Sequence, residues 1–313
     1  MQIAVVGTGI IGMDHLAAIA DLEDFTLCAV CDINEEKARQ VAVQYGVPYC
    51  TDYEKIVRIA EPDAVILNLP HFLHAPAAEY FLNCGVHVLV EKPMANTAAE
   101  CDKMIAAAKS HRKVLAVGHI QRFYLVNQAV KQAADSKKLG RLLMMNERRS
   151  IRYFTENRPK WFFDRQRAGG GIIMNYGAHA IDKMFYLAGI TDAAVSAAYG
   201  NAPGYEVEGH AQLFFHTPDG FSAAVSFNGY TPSGYDVLYS FEKGTLRVSG
   251  TRVTGYTPDG KETVLLDGED QKHMHRQLIE FKKLTEGKPS EMPTAEYGRS
   301  VMRLIDKIYC GRE

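Results

Sequence analysis

The sequence predicts an α/β fold class: an N-terminal doubly wound parallel sheet, then an α+β domain with a largely antiparallel, open-faced sheet. Three observations carry that expectation. Over residues 1–120, short apolar runs of strand length alternate with segments of helical periodicity, the pattern of βαβ units. The first run passes directly into a glycine-spaced turn, Gly7-Thr8-Gly9-Ile10-Ile11-Gly12. After Gly118 the alternation stops, and strand-like segments separated by Pro, Asp and Gly turns take over. The expected domains are therefore 1–120 and 121–313.

In the first domain the strands fall at 2–6, 26–31, 47–50, 64–68, 86–90 and 114–117, with helices at 12–22, 34–45, 74–83 and 97–110. In the second, 124–138 reads as a helix and 141–151 as a long strand. A loop rich in Arg and aromatic residues runs from Arg152 to Arg167. Gly169-Gly170-Gly171 follows, then a helix to about Leu187. Strands fill 191–266, punctuated by Thr217-Pro218-Asp219-Gly220, Pro232-Ser233-Gly234 and Pro258-Asp259-Gly260. Helices near 270–286 and 294–310 close the chain.

Composition narrows the class. The 313 residues are 47% hydrophobic and 23% charged, the balance of a soluble globular protein. A net charge of -2 gives no overall basic field for nucleic acid or an anionic membrane. No apolar run reaches the roughly 18 residues of a membrane span. The N-terminus lacks the pattern of a secretory signal, so a cytoplasmic location is expected. Cys28 and Cys31 have a C-x-x-C spacing, but within a strand residues three apart point to opposite faces. They read as core thiols and not as a metal or redox pair.

The glycine-spaced turn follows a strand and opens a helix, the context in which it binds a dinucleotide. Gly7 permits the tight turn, Gly9 leaves room for the pyrophosphate, and Gly12 allows close packing of helix on strand. The helix start offers N–H groups and a positive dipole end to the phosphates. Asp32 ends the second strand, where a carboxylate accepts hydrogen bonds from the adenosine ribose and repels a 2′-phosphate. No Arg follows in Ile33-Asn34, so NAD is expected in preference to NADP.

Catalytic candidates come next. The fifth strand ends in Glu91-Lys92-Pro93. Ligands gather at the carboxyl ends of such strands, which places Lys92 at a site, and Pro93 biases Lys92 toward an extended backbone. In the second domain Asn175, His179 and Asp182 share one face if their segment is helical. A polar stripe in an otherwise apolar helix, directly after three glycines, reads as a site.

Together these residues resemble the Gfo/Idh/MocA oxidoreductases, the group that includes inositol dehydrogenase and glucose–fructose oxidoreductase. The resemblance covers nearly the whole chain. It rests on the Gly7–Gly12 turn, Pro70-His71-Phe72-Leu73-His74, Glu91-Lys92-Pro93, and the triple glycine leading to Gly177 and His179. It implies a Rossmann domain and an open-faced sheet domain, with NAD as cofactor and hydroxyl groups of sugars or cyclitols as substrate. It further implies that Lys92 binds the reacting hydroxyl and His179 takes its proton. Pro70, His71, His74 and Glu91 would lie beside the cofactor. Asn175 departs from the Asp that many family members carry. An amide can hydrogen-bond a substrate hydroxyl but cannot take a proton.

Softer substrate-binding candidates are Gln121 and Arg122 after the sixth strand, and Tyr153 and Trp161, whose rings suit the apolar faces of sugars or the nicotinamide and equally suit core packing. His273 and His275 are two potential ligands without a third, and read as a solvated loop with no metal. The expected reaction interconverts a secondary alcohol and a ketone with NAD. An NAD-dependent glycosidase and a non-catalytic nucleotide-binding sensor are the rival readings, and retention of both Lys92 and His179 argues against the sensor. Between Tyr205 and Phe241 there is no Lys or Arg, and one face of 222–228 carries only Ser222, Ala224, Ser226 and Asn228. A sheet face so poor in charge is expected to meet a copy of itself in a homodimer or homotetramer.

Overall fold

The computed structural model describes residues 1–232 and 234–311. Of the expected turn Pro232-Ser233-Gly234, Ser233 lies outside the described residues. The chain forms two compact units, Met1–Ile120 with Lys272–Arg299, and Gln121–Gln271 with the chain from Ser300 onward.

The first unit is built on a six-stranded sheet. Its strands are β1 (Gln2–Val6), β2 (Thr26–Cys31), β3 (Tyr49–Cys50), β4 (Ala64–Leu67), β5 (His87–Glu91) and β6 (Leu115–Gly118). Their order is β3-β2-β1-β4-β5-β6, and every pairing is parallel. The chain works outward from β1 to β3, then crosses back to β4. This reversal opens a crevice between the carboxyl ends of β1 and β4, the usual ligand position in such sheets. β4 and β6 are buried along their whole length, which explains their unbroken apolar sequences.

Residues 272–299 correct the expectation that everything after 120 belongs to the second domain. The helix His273–Thr285 buries Met274, Leu278 and Phe281 and packs on the helix Ile10–Ala20. The Val117 N–H donates to the Pro293 carbonyl at 3.0 Å, and Ala116 and Thr294 form a β-bridge. His273 and His275 therefore open a helix and not a loop, with His275 Nε2 3.0 Å from Asp21 Oδ2. On β2, Cys31 is buried and Cys28 half-buried, and burial pushes the Cys28 thiol up to about 11.

The second unit is built on an eight-stranded sheet. Its strands are β7 (Leu142–Ser150), β8 (Ala194–Asn201), β9 (Glu208–His216), β10 (Ser222–Asn228), β11 (Gly234–Phe241), β12 (Gly244–Ser249), β13 (Arg252–Tyr256) and β14 (Glu262–Asp267). The order is β14-β13-β12-β11-β7-β10-β9-β8, antiparallel except for β7 with β10. One face is core: Leu213, Phe215, Val225, Phe227, Val237 and Tyr239 are each at most 3% exposed. The opposite face is open, with Ser222, Ala224, Ser226 and Asn228 half-exposed and Phe214 and Met144 exposed.

Candidate functional site

The glycine turn divides its work as its spacing predicts. A Cβ on Gly7 would lie 2.3 Å from the Asn68 carbonyl oxygen, and Gly7 has φ +89°. A Cβ on Gly12 would lie 2.1 Å from the Gly7 carbonyl oxygen, so helix and strand could not pack as closely. A Cβ on Gly9 would meet nothing within 4 Å. The protein's own packing thus requires glycine at 7 and 12, whereas at 9 the space beyond the backbone is open.

The helix that starts there contrasts in its cap with two other helices of the same unit. The helix Glu35–Tyr45 has the Asn34 side chain accepting from the Lys37 N–H, with Glu35 and Glu36 in its first turn. The helix Ala98–His111 has a full capping box from Thr97 and Glu100. The helix Ile10–Ala20 starts at Gly9 with no side-chain cap and no acidic residue in its first turn. Its first N–H groups and positive dipole end are left for an anion from outside the chain. Asn68, at the end of β4, has buried amide atoms Nδ2 and Oδ1 with no partner. These features fit the pyrophosphate of a dinucleotide.

Asp32 is held firmly at the end of β2. Its Oδ2 accepts from the Thr8 N–H at 2.9 Å and the Thr8 hydroxyl at 2.8 Å, and its Oδ1 from the Asn34 N–H at 3.0 Å. A carboxylate has about four acceptor sites, so capacity remains for a ribose hydroxyl. Around it the surface is apolar, with Ile33 91% and Ile10 84% exposed and Ile11 also exposed. Large exposed aliphatic residues beside a carboxylate suit the flat face of a base above a ribose.

The end of β5 is braced by two histidines. Glu91 is buried, with Oε1 3.2 Å from His15 Nε2, while Oε2 accepts from the Lys92 N–H at 3.2 Å. Burial raises the Glu91 carboxyl, but His15, Lys92 and the Lys92 N–H outweigh it and hold it below the usual range. His74 is buried with Nδ1 2.8 Å from the Pro93 carbonyl and Nε2 2.8 Å from the Leu69 carbonyl. Burial pushes its ring toward the neutral form against the pull of those carbonyls. His74 therefore ties the Pro70–Leu73 turn, in which His71 is buried, to the segment that carries Lys92. The Lys92–Pro93 peptide is cis. His15, on the helix after the glycines, had no sequence signal beyond a polar residue among apolar neighbours.

In the second unit the segment from Asn175 is not a regular helix throughout. Ile173–Gly177 forms a π turn and the α-helix begins at Ala178. Such widened turns cluster at functional positions. Asn175 and His179 are each 7% exposed. Glu208 anchors the start of this segment: its Oε1 accepts from the Gly171 N–H at 2.8 Å, the Ile173 N–H at 2.9 Å and the Tyr309 hydroxyl at 2.8 Å. A Cβ on Gly171 would lie 2.3 Å from the Glu208 carbonyl oxygen, which explains one of the three glycines.

Arg122, a substrate-binding candidate, lies in a buried pair with Asp182, which stands three residues after His179 in the same α-helix: Arg122 Nε donates to Asp182 Oδ1 at 2.8 Å, and the guanidinium lies 4.8 Å over the Tyr186 ring. Charges buried this deeply must be paired, and each partner answers the other. Tyr153, for which a substrate-facing ring and core packing were both open, is 0% exposed, covered by Phe154, Phe163, Tyr176 and Arg158. Trp161 stays half-exposed and stacks on Phe162 at 3.8 Å between centroids. Gln121 is buried, with its Oε1 unpartnered and its carbonyl accepting from Asn127 Nδ2.

Sequence reasoning missed a buried charge cluster under the sheet. Lys183 donates to Glu147 Oε2 at 2.9 Å and to the Tyr235 hydroxyl, and Arg149 lies 3.3 Å from Glu147 Oε1. Burial alone would lower the Lys183 and Arg149 pKa values, but Glu147 and Tyr235 hold both above their ordinary ranges, so both stay charged. No spacing rule links residues 147, 183 and 235; strand register and helix packing bring them together.

Comparison with known proteins agrees with this geometry. The chain is 30% identical over 239 residues to 1-carboxy-3-chloro-3,4-dihydroxycyclohexa-1,5-diene dehydrogenase of Comamonas testosteroni, a match covering 74% of this chain and 58% of that protein. It is 25% identical to D-glucoside 3-dehydrogenase of Escherichia coli, over 100% of this chain and 95% of that one. Its fold matches an aldose-aldose oxidoreductase from Caulobacter crescentus with a TM-score of 0.90 at 24% identity, covering 100% of this chain and 98% of that one. Residues 1–119 match the family profile described as oxidoreductase family, NAD-binding Rossmann fold, and residues 127–254 match the GFO/IDH/MocA C-terminal domain. With both profiles matched in order, and the nucleotide cradle formed, this chain belongs to the GFO/IDH/MocA family of NAD-binding oxidoreductases.

Proposed function

We propose that the protein interconverts a secondary hydroxyl of a sugar, sugar derivative or cyclitol with the ketone, using NAD as electron carrier. The observation that carries the reading is the placement of the open Gly9 cradle and of Lys92 at the carboxyl ends of strands in one parallel sheet. NAD, when bound, would supply the redox chemistry as a two-electron hydride acceptor for the alcohol carbon. The protein's own groups handle the oxygen. His179 takes the hydroxyl proton as general base. Lys92 donates a hydrogen bond to the same oxygen and stabilises the negative charge that develops there. Asn175 holds a neighbouring hydroxyl. Asp32 favours NAD over NADP, since a 2′-phosphate would face its carboxylate. The relationship to D-glucoside 3-dehydrogenase, over the full chain, supports a carbohydrate hydroxyl as the reacting group.

The test is a panel of sugars, sugar derivatives and cyclitols offered with NAD. NADH formed in equal amount to a ketone product supports the reading. Cleavage of a glycoside without net NADH would replace it with the glycosidase reading.

We further propose that the open sheet face joins two copies of the chain. It lacks Lys and Arg over β9, β10 and β11 and exposes Phe214 beside Ala224. Arg148 of β7 and Asp236 of β11 stand on the same face, but β10 and the neighbouring stretch of β9 give it a strip without Lys, Arg, Asp or Glu and with an exposed aromatic, which suits self-association about a two-fold axis. Light scattering should give a dimer or larger for the parent, and Ser222→Glu with Ser226→Glu should give the folded monomer. A parent that is monomeric at micromolar concentration removes the interface.

A further inference from the structure

We propose that the substrate carries an oxyanion, a carboxylate or a phosphate, held by Arg149 and Arg158 beside the segment that bears Asn175 and His179. The proposal deepens the reading above and rests on its placement of substrate at His179.

Arg149 stands at the end of β7. Its guanidinium lies 4.4 Å from the centre of the Tyr235 ring and 5.0 Å from that of Tyr176. Tyr176 directly follows Asn175, and its ring is 6.3 Å from that of His179. Arg158 comes from the loop before the triple glycine, with its guanidinium 4.2 Å from the centre of the Tyr153 ring. The Tyr153 ring is in turn 6.1 Å from that of Tyr176. The two arginines therefore flank the same short stretch of chain. Stacking on aromatic rings fixes the plane of a guanidinium without using its N–H donors.

Those donors are not fully used by the protein. In both arginines Nε is buried and has no hydrogen-bond partner. A buried donor without an acceptor is unfavourable. A guanidinium in a purely structural role normally has its buried donors satisfied. Two such omissions on one stretch of chain point to an acceptor from outside.

The charges point the same way. Arg149 and Lys183 share one carboxylate, Glu147, whose side chain is fully buried. The other buried carboxylate nearby, Glu208, is engaged by the Gly171 and Ile173 N–H groups and the Tyr309 hydroxyl. Three cations, Lys183, Arg149 and the half-exposed Arg158, thus stand against two carboxylates, Glu147 and Glu208. Buried charge is unfavourable unless an opposite charge compensates it. A neutral polyol would leave the excess in place. A carboxylate or phosphate would neutralise it and match the planar fork of a guanidinium.

The test uses matched pairs: glucose with glucuronate and glucose 6-phosphate, and myo-inositol with an inositol phosphate. Calorimetry on the full-length protein reads binding without turnover, and NAD reduction reads turnover separately. At least one acid is expected to bind more tightly than its neutral counterpart. Whether the uronate or the phosphorylated member prevails identifies the oxyanion. Arg149→Met and Arg158→Met should each weaken that acid on the order of 10²-fold, the scale for losing one partner of a desolvated charge pair. In turnover the loss should fall on KM for the acid, with the neutral counterpart changed little. Acid binding without turnover would uphold the oxyanion site while removing the hydroxyl-oxidation reading. Turnover of neutral substrates equal to or better than the acids overturns the oxyanion site and leaves the oxidation reading in place. No binding by any acid, or equal losses for acid and neutral substrates in the variants, also overturns it.

Discussion

In the first unit, the ligand-facing surface is mostly backbone. It consists of a glycine turn, the uncapped start of a helix, and strand ends at which Asp32 and Lys92 are fixed by neighbouring N–H groups and histidines. In the second unit the polar features are instead long, buried, charged side chains, drawn from strands and helices far apart in sequence. The difference is one of mechanism. A backbone site depends on local conformation, so it tolerates few residue types at fixed spacing. A side-chain site depends on tertiary packing and can be assembled from many positions.

The sharpest way to break this comparison is within the glycine turn, where two adjacent roles separate. Gly12→Ala places a methyl group 2.1 Å from the Gly7 carbonyl oxygen. It should destabilise the first unit by about 1–3 kcal/mol, the usual scale for overpacking, and abolish NAD binding. Gly9→Ala meets no neighbour and has an ordinary backbone at φ -67°. It should leave the urea midpoint unchanged while weakening NAD strongly. If Gly9→Ala binds NAD as the parent does, the cradle has been assigned to the wrong ligand.

A smaller effect is expected at Asp32. Asp32→Ser should weaken NAD by on the order of tenfold, the scale of a hydrogen bond to a charged group, and narrow the preference over NADP. Tighter binding of NADP than NAD by the unaltered protein, measured by calorimetry, contradicts the role.

The smallest effect concerns pH. Glu91 has its folded pKa held below the unfolded value of about 4.3. Its ionised form is therefore favoured in the folded state. The stability this contributes is present above that unfolded value and is lost as pH falls through the folded one. Urea unfolding from neutral to acid pH should show Glu91→Gln less stable than the parent at neutral pH but with a shallower decline on the acid side. Parallel profiles for the two proteins would remove Glu91 from the acid response.

Most of the first unit was legible in the sequence because its signals are local. β1 and β2 fall where their apolar runs predict, and Asp32 follows from its distance beyond Gly12. The return of residues 272–299 was not legible, since an amphipathic helix does not declare which core it covers. In the second unit the inward and outward faces of β10 were legible by alternation. The pairing of Arg122 was not legible because its partner, Asp182, lies 60 residues on. Tyr153 stayed open between site and core because an aromatic residue in a polar loop carries no mark of whether other rings will cover it. The π turn at Ile173–Gly177 left no trace because its residues are ordinary helix formers interrupted by one glycine.

The central claim is that NAD binding and chemistry on the hydroxyl are separable, with Lys92 and His179 acting in the second. It is tested most directly by measuring NAD affinity and turnover side by side for Lys92→Met and His179→Ala. NAD affinity should stay within a few-fold of the parent in both. Turnover on a good substrate should fall on the order of 10²-fold or more in Lys92→Met, the scale for losing a transition-state charge contact. It should fall by about 10²–10⁴-fold in His179→Ala, the scale for losing a general base. A variant of either residue that turns over at the parent rate contradicts the account.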